Sequence, residues 1–154
     1  VSINVKEVEP IPSVAVASPY LALARWRVSP FSSNKIDANV EVAAYDQNTW
    51  QSIRPSQLQT FADGNYALYR TTFKPYATQR INGGKIVFKA ITGKAEIWID
   101  KKLVFNKTTA ATEDVVVDFP ASTNTDRVIS VLIETDKGSK AGLGGLITVK
   151  AFDE

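Results

Sequence analysis

Cysteine, histidine and methionine are all missing from the 154 residues. Without cysteine there is no disulfide, no thiol nucleophile and no thiolate metal ligand. Without histidine there is no imidazole ligand, no Cys/His dyad and no Ser-His-Asp triad. The chain is also far shorter than the roughly 250 residues of a (β/α)₈ barrel. No apolar run approaches the roughly 18 residues of a membrane-spanning helix, and no signal-peptide pattern opens the sequence. An excess of one charge is lacking too: 18 Lys and Arg stand against 16 Asp and Glu, for a net +2. The densest basic spots, Lys101-Lys102 with Lys107 and Lys137 with Lys140, are short and fall in expected turns. Lysine there keeps a loop solvated or guards a strand edge, so neither a nucleic acid nor a membrane is expected as partner. A sequence that begins at Val1 and contains no Met is expected to derive from a longer precursor.

What remains has the composition of one ordinary domain, 44% hydrophobic and 22% charged. At this length roughly 70% of the unfolded surface can be buried without staples. No window sustains an apolar stripe at helical spacing, whereas short alternating or β-branched runs recur throughout. Strands are expected over 3–8, 21–28, 66–73, 85–91, 95–99, 103–105, 114–119, 128–135 and 146–152, separated by turn clusters such as Asp63-Gly64-Asn65 and Gly83-Gly84. With no helices between them, the expected class is all-β, an antiparallel β-sandwich or barrel. Residues 1–19, with three prolines, read as an edge strand and extended leader, and 20–154 as one sandwich domain.

Alternation assigns the faces. Ile86, Phe88 and Ala90 share one side of a strand; Ala95, Ile97 and Ile99 share another; Ile129, Val131 and Ile133 form a third triplet. Ile91-Thr92-Gly93-Lys94-Ala95 is expected to be a tight hairpin, and Asp100-Lys101-Lys102-Leu103 a second. From Ser29 to Phe61 polar and turn residues dominate, with Trp50 and Ile53 as isolated anchors, and a segment this long is often functional.

Several stretches resemble the sugar-binding-type β-sandwich of family 2 glycoside hydrolases, the β-galactosidase family. They are Tyr66-Ala67-Leu68-Tyr69-Arg70-Thr71-Thr72-Phe73, Gly93-Lys94-Ala95-Glu96-Ile97-Trp98-Ile99-Asp100-Lys101-Lys102-Leu103, Arg127-Val128-Ile129-Ser130-Val131-Leu132-Ile133 and Gly142-Leu143-Gly144-Gly145. Upstream, Trp26-Arg27-Val28-Ser29-Pro30 and Asp46-Gln47-Asn48-Thr49-Trp50 look like the family's opening segments. One departure is that Asp100-Lys101 stands where the family has Asn-Gly. The resemblance implies a jelly-roll of galactose-binding-domain type, without catalytic residues of its own. Its implied partners are a catalytic barrel and further domains in the same parent chain, with a galactoside-type saccharide as ligand. With the absence of cysteine, it also implies a bacterial protein of the periplasm or exterior.

Saccharide recognition needs an aromatic plane for the ring and polar groups for its hydroxyls. Trp98, with Glu96 and Asp100 on the same expected face, supplies both; so does Trp50 with Asp46. The competing reading is that Trp98 anchors a covering loop or domain, and that Trp50 plugs the sandwich while Asp46 caps a turn. Trp26 and Tyr69 are expected in the core. A glycosidase in its own right needs two carboxylates about 5–10 Å apart. Glu96 and Asp100 are about 13 Å apart along a strand, which leaves only cross-strand pairs such as Glu96 with Glu113 or Asp114. Glycines 142–145 precede a strand rather than a helix, so they read as turn glycines and not as a phosphate loop. No cofactor is expected; a structural calcium on carboxylate and backbone oxygens is the one ion the resemblance leaves room for. The alternatives to an accessory module are an adhesin-like protein-interaction sandwich and a free-standing glycosidase.

Overall fold

Short β-rich runs that each bury one face pair into two antiparallel sheets. In this computed structural model the described residues are 21–40, 49–76 and 81–152. The expected strand at 3–8 and the leader lie outside them. The strands are β1 (Leu21–Ala22), β2 (Trp26–Val28), β3 (Gln51–Ile53), β4 (Gln59–Thr60), β5 (Tyr66–Phe73), β6 (Gly84–Thr92), β7 (Lys94–Ile99), β8 (Lys102–Lys107), β9 (Glu113–Phe119), β10 (Arg127–Glu134), β11 (Lys140–Leu143) and β12 (Ile147–Lys150). Helical backbone among the described residues is confined to Ile81 and Asn82.

The first sheet runs β1-β12-β6-β11-β4, with β9 on the free side of β6; the second runs β3-β2-β5-β10-β7-β8. The chain changes sheet between β1 and β2, at every step from β3 to β7, and at every step from β8 to β11. That wrapping makes the fold an all-β sandwich.

The core lies between the sheets. Ala95, Ile97 and Ile99 are buried as their alternation requires, and Ile129, Val131 and Ile133 are fully enclosed. They meet Ile86, Phe88, Val115, Val117, Phe119, Ile147 and Val149 from the facing sheet. Each such side chain contributes about 1.5–3 kcal/mol on burial. Trp26 and Tyr69 belong to this core, as expected. Trp26 donates its indole Nε1–H to the Leu23 carbonyl at 3.0 Å.

Five expectations are corrected. The run 21–28 is two strands in different sheets, because the chain crosses between layers at Leu23, whose N–H pairs with the Ile147 carbonyl. Ile91-Thr92-Gly93-Lys94-Ala95 is not a hairpin: β6 and β7 lie in opposite sheets, and Gly93 at φ 99° turns the corner between them. Ala90 leaves the inner face because β6 bulges between Phe88 and Ile91, which hands the inward position to Ile91. Lys107 is not solvated. It is almost fully buried, its ammonium donating to the carbonyls of Gly93 (2.8 Å), Thr109 (2.6 Å) and Ala111. The Gly142 to Gly145 stretch is only partly turn, since Gly142 sits within β11 at φ 124°.

The hairpin at Asp100-Lys101 does form, joining β7 to β8. Both central residues take positive φ, 49° and 71°, as a type I′ turn demands. Asp100 tolerates this and has work for its carboxylate: it accepts from Arg127 Nε and, at 2.9 Å, from the Val128 N–H.

Candidate functional site

The outer face of the second sheet carries the residues of interest, and register fixes who stands beside whom. One row across β5, β10 and β7 reads Tyr66, Glu134, Lys94. The next reads Leu68, Leu132, Glu96 and, on β8, Asn106. A third reads Arg70, Ser130, Trp98, Leu103.

Part of this face is covered. Leu68 and Leu132, which alternation turns away from the main core, are buried by Ala38 and Trp50, with Ile36, Val40, Tyr66 and Trp98 packed around them. The segment after β2 is laid over the sheet and tied down. Ser32 and Tyr66 form an isolated bridge, and the Leu68 N–H donates to Ser29 Oγ at 2.9 Å. Arg70 is the principal clamp. It donates to Ser130 Oγ (2.9 Å) and to the carbonyls of Val40 (2.8 Å) and Ala38 (2.6 Å), with its guanidinium 5.7 Å from the Trp50 ring centre. Trp50 is therefore a buried anchor of a second small core on the sheet's outer face, not a plug at the end of the sandwich. Asp46 lies outside the described residues.

Beside this cover a polar cleft of about 260 Å³ opens, lined by Lys35, Tyr66, Lys94, Glu96, Asn106 and Glu134, with Leu132 among its apolar lining. Glu96 accepts from Lys35 Nζ at 2.7 Å and from Trp98 Nε1 at 3.2 Å. The Tyr66 hydroxyl donates to Glu134 Oε2 at 3.3 Å. Burial, with the nearby Glu134 charge, raises the Tyr66 pKa above the ordinary tyrosine value, and the Glu96 carboxylate raises that of Lys35. Donors and acceptors thus alternate across the cleft, a pattern suited to hydroxyl groups.

Of the five residues singled out from sequence, Glu96 and Trp98 stand together here. Trp98 is half-buried against the covering segment, with its N–H committed to Glu96. Asp100 does not share their face: the hairpin swings its carboxylate to Arg127, which lies almost fully buried over the Phe119 ring. The cross-strand pairing of Glu96 with Glu113 or Asp114 does not exist, since Glu96 pairs with Leu132 and Asn106 while Glu113 and Asp114 lie on β9 of the other sheet. Glu134, Tyr66, Lys94, Asn106 and Lys35 were not singled out from sequence. The pairing of β5, β10, β7 and β8 assembles the first four, and the segment laid over the sheet after β2 brings Lys35 to Glu96. Among the described residues no three Asp or Glu side chains gather as a metal site.

No protein-family model and no curated protein matches the sequence. Solved structures do match its fold. A glycosyl hydrolase family 2 member from Bacteroides cellulosilyticus aligns at a TM-score of 0.66 and 15% identity, over 85% of this chain and 20% of its own. The β-glucuronidase of Bifidobacterium dentium, solved with coumarin-3-O-glucuronide, aligns at 0.68 and 11%, over 90% and 31%. The β-glucuronidase of Faecalibacterium prausnitzii aligns at 0.67 and 10%, over 92% and 33%. The chain has the fold of a β-sandwich domain of family 2 glycosidases and spans a fifth to a third of their length.

Proposed function

We propose that this chain is a non-catalytic sandwich module of a larger, exported glycoside hydrolase of family 2 type, acting in the periplasm or outside the cell. In this reading it braces the neighbouring catalytic domain and offers saccharide the cleft between Glu96 and Glu134. The observation that carries the proposal is the fold, which covers 85–92% of this chain in those three comparisons and at most a third of each glycosidase. The chemistry of the cleft supports it. Glu96 is committed to Lys35 and Trp98, and Glu134 to Tyr66, which suits binding and bracing rather than proton transfer to a leaving group.

The parent enzyme's substrate is proposed to be a β-galactoside, with a β-glucuronide as second choice because two of the similar structures are β-glucuronidases. Titrating the chain with galactosides and glucuronides, followed by NMR, is expected to move the Trp98 indole and Asn106 amide signals weakly, at millimolar sugar. Glu96→Gln is expected to abolish the shifts. Unmoved signals at saturating sugar would leave only the bracing role. Hydrolysis of a chromogenic galactoside by the chain alone, lost in Glu96→Gln or Glu134→Gln, would overturn the non-catalytic reading.

A further inference from the structure

At the opposite edge of the same sheet two arginines line one cleft, and among the described residues neither has an ionic partner. β2 and β3 pair Trp26 with Ile53, Arg27 with Ser52 and Val28 with Gln51. Arg25 and Arg54 are the residues that next flank the last pair of that ladder, Trp26 and Ile53, outside the paired strands themselves. The neighbouring arginines are spoken for, Arg27 by the Trp50 carbonyl at 3.0 Å and Arg70 by the covering segment. Among the described residues neither guanidinium, that of Arg25 or that of Arg54, has an ion pair or a hydrogen bond; the Arg25 carbonyl accepts from Thr71 Oγ1 at 2.7 Å.

Both line a cleft of about 520 Å³ with Gln51, Ser52, Gln57 and Gln59. It shares Arg25 and Ser52 with an adjoining cleft of about 660 Å³ along β2 and the end of β5. Among the described residues no Asp or Glu lines either one. The wall is held in place: Ser56 at φ 95° directly after Pro55 has the dihedral of the third residue of a type II turn, and its N–H is fastened to the Leu143 carbonyl at 3.0 Å. Arg54 and Gln57 are the two ends of that turn.

We infer that this cleft binds an acidic saccharide. A guanidinium fork matches a carboxylate or sulfate through two parallel hydrogen bonds. Each glutamine amide offers two donors and an acceptor, the complement of ring hydroxyls. Among the described residues no aromatic ring lines the cleft at Arg54, so binding there rests on charge and hydrogen bonds and weakens with salt. The inference uses no residue of the Glu96 cleft and stands apart from the accessory-module proposal.

The test is titration of the ¹⁵N-labelled full chain with trigalacturonate, maltotriose, triglutamate and inorganic sulfate. Trigalacturonate is expected to shift the side-chain amides of Gln51, Gln57 and Gln59, with affinity falling as salt is raised. Arg25→Gln and Arg54→Gln are each expected to weaken it about tenfold, whereas Lys137→Gln, at an exposed lysine outside both clefts, leaves it unchanged. Maltotriose is expected to leave these amides unmoved. Absence of binding, or binding indifferent to both arginine substitutions, would overturn the inference. Triglutamate or sulfate binding as tightly as trigalacturonate would also overturn it, as the mark of a plain anion site. Both arginines are solvent-exposed, and if a variant lost its fold the wild-type amide shifts would decide by themselves.

Discussion

Removing the Tyr69 hydroxyl should make this protein more stable. Tyr69 is fully enclosed in the core, and its hydroxyl oxygen is a buried polar atom without a hydrogen-bond partner among the described residues. Leaving such a group unsatisfied costs about 1–3 kcal/mol. Tyr69→Phe removes the orphan and leaves a space of about 10–15 Å³, the size of one water probe. At about 24 cal/mol per Å³ that space costs about 0.3 kcal/mol. The net gain is therefore about 0.7–2.7 kcal/mol, at roughly 2–4 °C in Tm per kcal/mol for a chain of this size. Burial also raises the Tyr69 pKa well above the ordinary value of 10. In the window above pH 10 the unfolded chain loses this proton while the folded chain keeps it. Stability consequently falls there, by up to about 1.4 kcal/mol per pH unit, having been fully present at lower pH. Tyr69→Phe should flatten that slope, leaving the part due to Tyr66, whose pKa is also raised. Urea denaturation of both proteins at pH 7 and at pH 10–11 measures both effects. A variant about 1 kcal/mol less stable than wild type, with the alkaline slope intact, would show that the hydroxyl is satisfied and refute the reasoning.

The same ring sets a second expectation: a Cβ on Gly142 would sit 2.6 Å from the Tyr69 hydroxyl oxygen, at a φ of 124° that side chains avoid. Gly142→Ala should cost about 2–3 kcal/mol, and a double-mutant cycle with Tyr69→Phe should recover at least about 0.5 kcal/mol of it. Lys101, exposed at φ 71° in the β7–β8 turn, should gain about 0.5 kcal/mol on replacement by Gly, read as a rise in the urea midpoint. Lys107→Met strips the donor from three carbonyls. It should cost about 3 kcal/mol and speed amide exchange over 108–112, because three buried carbonyls lose their donor at once.

The class and the inner faces were written in the sequence. Alternation is a property of neighbours along one strand, so Ala95, Ile97 and Ile99, or Ile129, Val131 and Ile133, declare their side without knowing their partners. Glu96 and Trp98 were legible for the same reason. Which sheet a strand joins is a different kind of fact. Thr92-Gly93-Lys94 reads the same whether the chain folds back on itself or turns a corner, and only the packing of β6 and β7 into opposite layers decides it. Ala90 and Asp100 were misplaced because a bulge and a turn break the period of two that the reading assumed. The burial of Trp50, the Lys107 cage and the unanswered pair Arg25 and Arg54 join residues far apart in sequence, whose approach is set by strand register and crossovers. No local pattern encodes that approach, so the sequence by itself determined the elements and their apolar sides, and the tertiary structure alone decided which polar groups meet.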